Sequence, residues 1–458
     1  MKEYDMIVIG SGSAMNIVTG VLQSKKDVKI AVIEKDEPGG ICLTRGCIPS
    51  KMILYPAEIV GKIKRAHLFG IDVNIGNIDF FKIMEDMRKH VGSESKRIEH
   101  SLRQSQLIDF YPGSARFVSD HTLQVNGEKI KGEKILLCTG SRPLVPPIKG
   151  IDDIHYLTSE TFLKLKKQPK SMIIVGGGYI AVEYGYFMAM MGSEVHIIGR
   201  NPRLVPQEEP DISEVLKKKL SEHMKIHTGY EVVKVAEKDD KKGAVAVNEE
   251  GETIRLYGEE TLIATGRRSN SDILSPENSG IELDKKGWIK VDRYLETTKP
   301  NIWALGDATG RHMFKHAANY ESRVVFNNAF GSGEKAAVDY HAVPHGIFTD
   351  PEIAGVGMSE KEAREKTDVL VGKTLFTDTG KGDAMKAEDC FVKVMVEAST
   401  YRILGAHIIG PQASVLIQEI VNLMYTPDES PTPIFRGMHI HPALSEVVER
   451  AFYDLHKH

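Results

Sequence analysis

Cys42 and Cys47 lie in the run Gly39-Gly40-Ile41-Cys42-Leu43-Thr44-Arg45-Gly46-Cys47-Ile48-Pro49-Ser50-Lys51. On one regular helix, thiols five positions apart would stand ~7.5 Å apart along the axis and point to different sides. A disulfide wants Cα atoms closer than about 7 Å. The segment is therefore expected to bend, with Gly46 giving freedom and Pro49 a break. A dithiol near the start of a helix gains from the helix dipole, which favours a thiolate and so thiol–disulfide exchange. The bland alternatives are half of a zinc site or two unrelated buried cysteines. Zinc takes four ligands, and among the four cysteines of this sequence no second close pair completes such a site.

The elements that must position this pair come from a unit present twice. Met6-Ile7-Val8-Ile9 runs into Gly10-Ser11-Gly12, an apolar helix pattern, a second strand near Lys29–Ile33 and then Glu34. Met172-Ile173-Ile174-Val175 runs into Gly176-Gly177-Gly178, a helix through Met191, a strand at Glu194–Ile198 and then Gly199-Arg200. Both are strand–turn–helix–strand units of the dinucleotide-binding kind. Gly10, Gly12, Gly176 and Gly178 allow the tight turn and the close approach of a pyrophosphate, which the next helix meets with free N–H groups. Met15 stands at the third glycine position of the first copy.

An acidic residue ending the second strand bonds a ribose hydroxyl, and Glu34 holds that place in the first copy. The second copy has Gly199 there, followed by Arg200 and, nearby, Arg203. That favours the ribose phosphate of NADPH over the free hydroxyl of NADH; the alternative is two solvated surface charges. Charged helical segments are expected at about 51–65 and 79–106, and strand ends at Leu137-Cys138-Thr139-Gly140 and Ala264-Thr265-Gly266-Arg267. A buried strand stops at Asp307, Gly331-Ser332-Gly333 reads as a linker, and alternating strands and helices follow from about Glu334.

The 458 residues exceed one compact core, so about three domains are expected. A formal net charge of −4 argues against a general nucleic-acid binder. No apolar run approaches the ~20 residues of a membrane span, and no basic-then-apolar leader precedes the first strand. Sparse cysteine fits a reducing, cytoplasmic compartment.

From about Asp5 to Phe452 these segments resemble the pyridine nucleotide–disulfide oxidoreductases, FAD enzymes that include dihydrolipoamide dehydrogenases and glutathione, mycothione and mercuric reductases. The resemblance implies an α/β fold with two Rossmann-like dinucleotide-binding domains, for FAD (1–145 and 268–333) and NAD(P)H (146–267). A C-terminal α+β dimerisation domain (334–458) completes it. It implies that Asp307 bonds the ribityl chain, and that Ala115, Thr139, Gly140, Lys315 and His316 belong to segments lining or approaching the flavin. Lys51 and Glu183 are similar to the lysine–glutamate pair beside the flavin ring. Tyr179 is similar to the tyrosine over the nicotinamide pocket, and Ile180 and Gly266 fall in adjoining cofactor-contacting segments. His439-Ile440-His441-Pro442 resembles the catalytic His-Pro stretch, with His441 the acid–base and Glu446 its partner. That suits a sulfur leaving group, which needs a proton near neutral pH. A metal-binding pair is the duller reading of the two histidines.

The activity implied is electron passage between NAD(P)H, FAD, the Cys42–Cys47 pair and a small disulfide or dithiol. It would take place in a homodimer whose His441 and Glu446 reach the site from the partner subunit. Gly178–Glu183 and Arg200 look like the NADPH-dependent reductases, and Lys315–Asn319 and Ala406–Ser414 like mycothione reductase. Cys42–Lys51 and His441–Val448 fit dihydrolipoamide dehydrogenase equally. Mercuric reductases carry an extra cysteine pair near the C-terminus, which this sequence lacks, so mercury reduction is not expected. The rival readings are a flavoprotein oxidase or quinone reductase that ignores the dithiol, and a redox-sensing nucleotide-binding protein.

Overall fold

The computed structural model describes residues 1–24, 27–239 and 241–456. In the first sheet, strands Ile108–Pro112, Ile30–Glu34, Lys2–Ile9 and Glu128–Leu137 lie side by side and parallel. Ile302–Ala304 adds a further parallel strand against the C-terminal half of Glu128–Leu137. An antiparallel hairpin, Ala115–Ser119 with Thr122–Val125, covers the N-terminal half. The central strands are buried on both faces, which is why their sequences read as unbroken apolar runs instead of alternating.

The second sheet repeats the plan with five parallel strands in the order Lys225–Thr228, Glu194–Gly199, Ser171–Val175, Glu260–Ile263 and Leu157–Thr158. A three-stranded antiparallel meander (Glu231–Lys238, Lys241–Val247, Thr253–Gly258) packs beside it. The chain leaves the first sheet through Ser141–Pro143 and returns through Arg267–Ser269, and the two segments pair with each other. The C-terminal region is a five-stranded antiparallel sheet of His345–Ile347, Glu352–Gly357, Ile403–Gly410, Phe391–Glu397 and Val369–Leu375. Helices Ala413–Met424 and Ser445–Tyr453 share its apolar core. The architecture is thus the mixed α/β fold expected, with its third part antiparallel.

The two glycine-rich turns are built alike. Gly10 has φ +102°, and a Cβ there would stand 2.2 Å from the Cys138 carbonyl oxygen; Gly176 has φ +132°, and its Cβ would stand 2.2 Å from the Ala264 carbonyl oxygen. Neither position tolerates a side chain, for backbone conformation and space alike. Helix Cys47–Lys64 packs on helix Tyr179–Met191 of the second unit. The Tyr186 hydroxyl donates to the Ala57 carbonyl at 3.4 Å. No helix among the described residues is long and apolar enough to cross a membrane.

Candidate active site

The segment carrying the two thiols bends at Gly46, as expected, but without the break expected at Pro49. Helix Gly40–Thr44 is closed by Arg45, and helix Cys47–Lys64 starts directly after Gly46. A Cβ on Gly46 would stand 2.9 Å from the Ile41 carbonyl oxygen, so the corner is tight enough to need glycine. Pro49 breaks nothing: it lies in the first turn of the second helix, where its missing N–H has no intrahelical partner to lose.

Both thiols are free and line one cleft. Cys42 keeps its proton and donates it toward Cys47, which pushes the Cys42 pKa up, as burial does further. The same hydrogen bond, aided by the Lys51 charge, pulls Cys47, which is exposed to the cleft, down to about 7. The pair thus carries one negative charge near neutral pH, held on Cys47 at the start of its helix. Lys51 Nζ donates to both carboxylate oxygens of Glu183, at 3.1 and 3.0 Å. Glu183 is buried and also accepts from the Phe348 backbone N–H at 3.0 Å. Lys51 stands 4.4 Å from the centroid of the Phe348 ring.

The cleft runs along the C-terminal ends of the first parallel sheet. Gly10, Gly12 and Glu34 line one end, and Ala115, Thr139 and Gly140 another wall. Glu34 Oε2 accepts from the Ser11 backbone N–H (2.9 Å) and hydroxyl (2.8 Å). Asp307 and Lys315 face the thiols' part of the cleft. Asp307 accepts from the Ser141 hydroxyl at 2.6 Å, and that hydroxyl accepts from Arg267 Nε at 2.7 Å. Lys315 begins helix Lys315–Phe330 and donates to the Ser13 hydroxyl at 2.9 Å. His316 does not join them. Its Nε2 donates to the Pro344 carbonyl at 2.7 Å, and its ring stacks on Phe314.

In the second unit, Gly176 and Gly178 form the turn before helix Tyr179–Met191. Tyr179 opens that helix and is 40% exposed, with Ile180 half-buried beside it. Arg200 and Arg203 are exposed on the loop after strand Glu194–Gly199, and neither has an ion-pair partner among the described residues. Gly266 has φ +124° and stands where the chain crosses back to the first sheet. His441 lies apart from the cleft, its side chain 74% exposed. Its Nδ1 donates to Glu446 Oε1 at 2.8 Å, and Glu446 Oε2 accepts from the Ala443 N–H at 3.0 Å. The His441 bond holds Glu446 below the usual carboxylate range. Met438 and Ile440, on the same strip, are fully and largely exposed. Residue patterns did not single out Ser11, Ser141, Arg267 or Phe348. Ser11, Ser141 and Arg267 each adjoin a motif residue and Phe348 does not, and the partner of each of the four lies elsewhere in the chain.

Two dinucleotide folds meeting at a free dithiol define an oxidoreductase that works through sulfur. Residues 4–322 match the pyridine nucleotide-disulphide oxidoreductase family, and residues 343–452 match that family's dimerisation domain. The chain belongs to this family of flavoprotein disulfide oxidoreductases, which are FAD-dependent with NAD(P)H as electron donor. A mycothione reductase of Mycobacterium tuberculosis is 33% identical over 467 residues, covering 99% of this chain and 100% of that protein. A dihydrolipoyl dehydrogenase of Chlamydia muridarum is 34% identical, covering 97% and 95%. A mercuric reductase of Staphylococcus aureus is 33% identical, covering 91% and 76%. The Cu(II) complex of the HOCl-induced flavoprotein disulfide reductase RclA from Escherichia coli superposes with a TM-score of 0.87 at 28% identity, over 99% of each chain.

The cleft residues fit FAD. Gly12 and Gly40 meet backbone to backbone, leaving no side chain in the phosphate-side floor. Thr139 Oγ1 is buried on the wall without a hydrogen-bond partner among the described residues.

Proposed function

We propose that this protein is an NAD(P)H-dependent disulfide oxidoreductase that cycles a Cys42–Cys47 disulfide and acts on a small disulfide or dithiol, with NADPH preferred. The observation that carries the reading is the pair of free thiols on the wall of the cleft that the glycine-rich turn of the first unit also lines, beside the Lys51–Glu183 pair. Residues 1–145 and 268–333 would hold FAD through Gly10, Gly12, Glu34, Thr139, Gly140, Asp307 and Lys315. Residues 146–267 would hold the nicotinamide nucleotide through Gly176, Gly178 and Tyr179, and residues 334–458 would build a homodimer. Bound FAD supplies two-electron transfer between the nicotinamide and the sulfur pair.

Cys42 is the interchange thiol. It keeps its proton until a base removes it, a task we assign to His441 delivered from a second copy of the chain. The Glu446 bond fixes the Nδ1–H tautomer and leaves Nε2 to take and return the proton. Cys42 sulfur attacks a substrate disulfide, forming a mixed disulfide, and the departing thiolate takes the proton back from His441. Cys47 thiolate then attacks Cys42, closing the disulfide and releasing the second thiolate, which takes its proton from solvent. Two electrons leave the dithiol, and reversal oxidises a dithiol substrate. Lys51, held by Glu183, steadies the Cys47 charge.

Arg200 and Arg203, exposed and without an ion-pair partner among the described residues, and the lack of a carboxylate at the strand end support NADPH. Low cysteine usage supports work in a reducing compartment such as the cytoplasm. Steady-state turnover over a panel of small disulfides, each with NADH and NADPH, tests the reading. NADPH should support reduction of at least one, Arg200→Ala should raise the KM for NADPH about tenfold, and Cys42→Ser should abolish turnover. Oxygen or quinone reduction that persists unchanged in Cys42→Ser and Cys47→Ser, with no disulfide turned over, would overturn it.

A further inference from the structure

Arg45 stands between the two redox cysteines, and the exchange chemistry makes no use of it. Its guanidinium has a carboxylate on two sides. Nη2 donates to Asp36 Oδ2 at 2.7 Å, and Nε, buried and without a hydrogen-bond partner among the described residues, lies 3.5 Å from Glu160 Oε1, an ion-pair contact. Asp36 follows strand Ile30–Glu34 at one end of the cleft. Glu160 belongs to the second nucleotide unit, in helix Ser159–Phe162, whose start is fixed by a Thr158–Thr161 capping box. The same Glu160 oxygen lies 3.8 Å from Arg267 Nη2, and Arg267 reaches Asp307 through the Ser141 hydroxyl. A chain of charges from Asp36 to Asp307 therefore crosses the cleft wall through the redox corner. Cys47 is flanked in sequence by two cations, Arg45 before it and Lys51 after it, and each is met by a glutamate of the second unit.

We infer that Arg45 is a positioning residue: with Glu160 it clamps the redox corner to the second nucleotide unit and keeps the two sulfurs within bonding reach. The inference rests on the reading of Cys42–Cys47 as the working disulfide. The corner needs a clamp because its parts do not hold themselves. Gly46 at the apex leaves the backbone free, and the five-residue helix carrying Cys42 is far below the length at which a helix is stable alone. Arg45 and Glu160 are only 23% and 26% exposed, so the contact is not a solvated surface pair. With a carboxylate on either side, the guanidinium contributes geometry more than net charge.

The test is the equilibrium in which reduced dithiothreitol passes two electrons and two protons to the enzyme disulfide, giving enzyme dithiol and oxidised dithiothreitol. The full-length holoenzyme is equilibrated across dithiothreitol ratios and quenched in acid, and the Cys42–Cys47 linkage is counted by peptide mass. Arg45→Met and Glu160→Gln should each lower the equilibrium constant for disulfide formation about fivefold, or about 20 mV at ~30 mV per tenfold. The double variant should also fall about fivefold, since both changes break one contact. Arg45→Lys keeps the charge but not the fork, so it should fall about twofold. It carries the test together with Glu160→Gln should Arg45→Met fail to retain FAD. Opposite shifts in the two single variants would make the role one of charge and overturn the clamp. Additive shifts or unmoved constants would overturn it as well. A parent enzyme that forms no Cys42–Cys47 linkage at any ratio would contradict the functional reading itself; a parent linkage with unmoved variants contradicts the clamp alone.

Discussion

Replacing Cys42 with alanine should move the ionisation of Cys47 from about 7 toward the ordinary thiol value of about 8.5. The largest influence lowering it is the hydrogen bond from the Cys42 thiol. A hydrogen bond to a charged acceptor contributes about 1.5–3 kcal/mol, which at about 1.4 kcal/mol per pH unit is one to two units. Lys51 is the second lowering influence, one helical turn away at about 6 Å between Cβ atoms. At an effective dielectric of about 40, between surface and water values, its charge is worth roughly 1.4 kcal/mol. Pairing with Glu183 cuts this to about half a pH unit. The order of effect is therefore Cys42→Ala first, Lys51→Met second, and Cys42→Ser least, because serine keeps a donor. The assay is iodoacetamide alkylation of Cys47 in the reduced holoenzyme as a function of pH, with the site read by peptide mass. Because the folded-state pKa is depressed, the thiolate is present above about 7 and is lost as pH falls through that value. In Cys42→Ala, the thiolate fraction at pH 7 should drop from about one half to about 3%, slowing alkylation roughly fifteenfold. A Cys42→Ala midpoint still near 7, or a larger shift from Lys51→Met than from Cys42→Ala, would refute the reasoning.

Other perturbations separate the parts of the site. Gly176→Ala should abolish nicotinamide-nucleotide binding while FAD is retained, and Gly10→Ala should cost FAD itself. Each forces a Cβ to 2.2 Å from a carbonyl oxygen at positive φ, a destabilisation of about 2–4 kcal/mol readable by thermal melting. Glu183→Gln leaves Lys51 without its partner and should lower stability by about 2 kcal/mol, less than a fully buried pair because Lys51 is about a third exposed. His441→Gln should slow thiol exchange far more than NADPH-driven flavin reduction in stopped flow, and equal losses would remove the acid–base role. Glu446→Gln should slow exchange less than His441→Gln, since it loosens the imidazole without deleting it.

The parts legible in the sequence are those whose physics is local. Met6–Ile9 and Met172–Val175 are buried on both faces, and each apolar run ends at a glycine that a carbonyl oxygen approaches too closely for any Cβ. The apolar run ending at a glycine marks a dinucleotide turn in the sequence, and the structure supplies the close carbonyl that makes the glycine necessary. The start of helix Cys47–Lys64 was legible only in part. Pro49 reads as a break until Gly46 is seen to close the corner and put the proline in the first turn. Arg45 was plain in the sequence, but its partner Glu160 lies in a four-residue helix more than a hundred positions on. No periodicity reports a contact of that kind. His316 shows the opposite case: it adjoins Lys315 in sequence, yet the helix turns it to Pro344 and away from the cleft.

Counting thiols in the denatured holoenzyme before and after anaerobic two-electron reduction by NADPH tests the central claim most directly. Of the four cysteines in the sequence, the oxidised enzyme should expose two, Cys138 and Cys390, and the reduced enzyme all four. Four free thiols in both states, with the flavin fully cycling, would contradict a working Cys42–Cys47 disulfide.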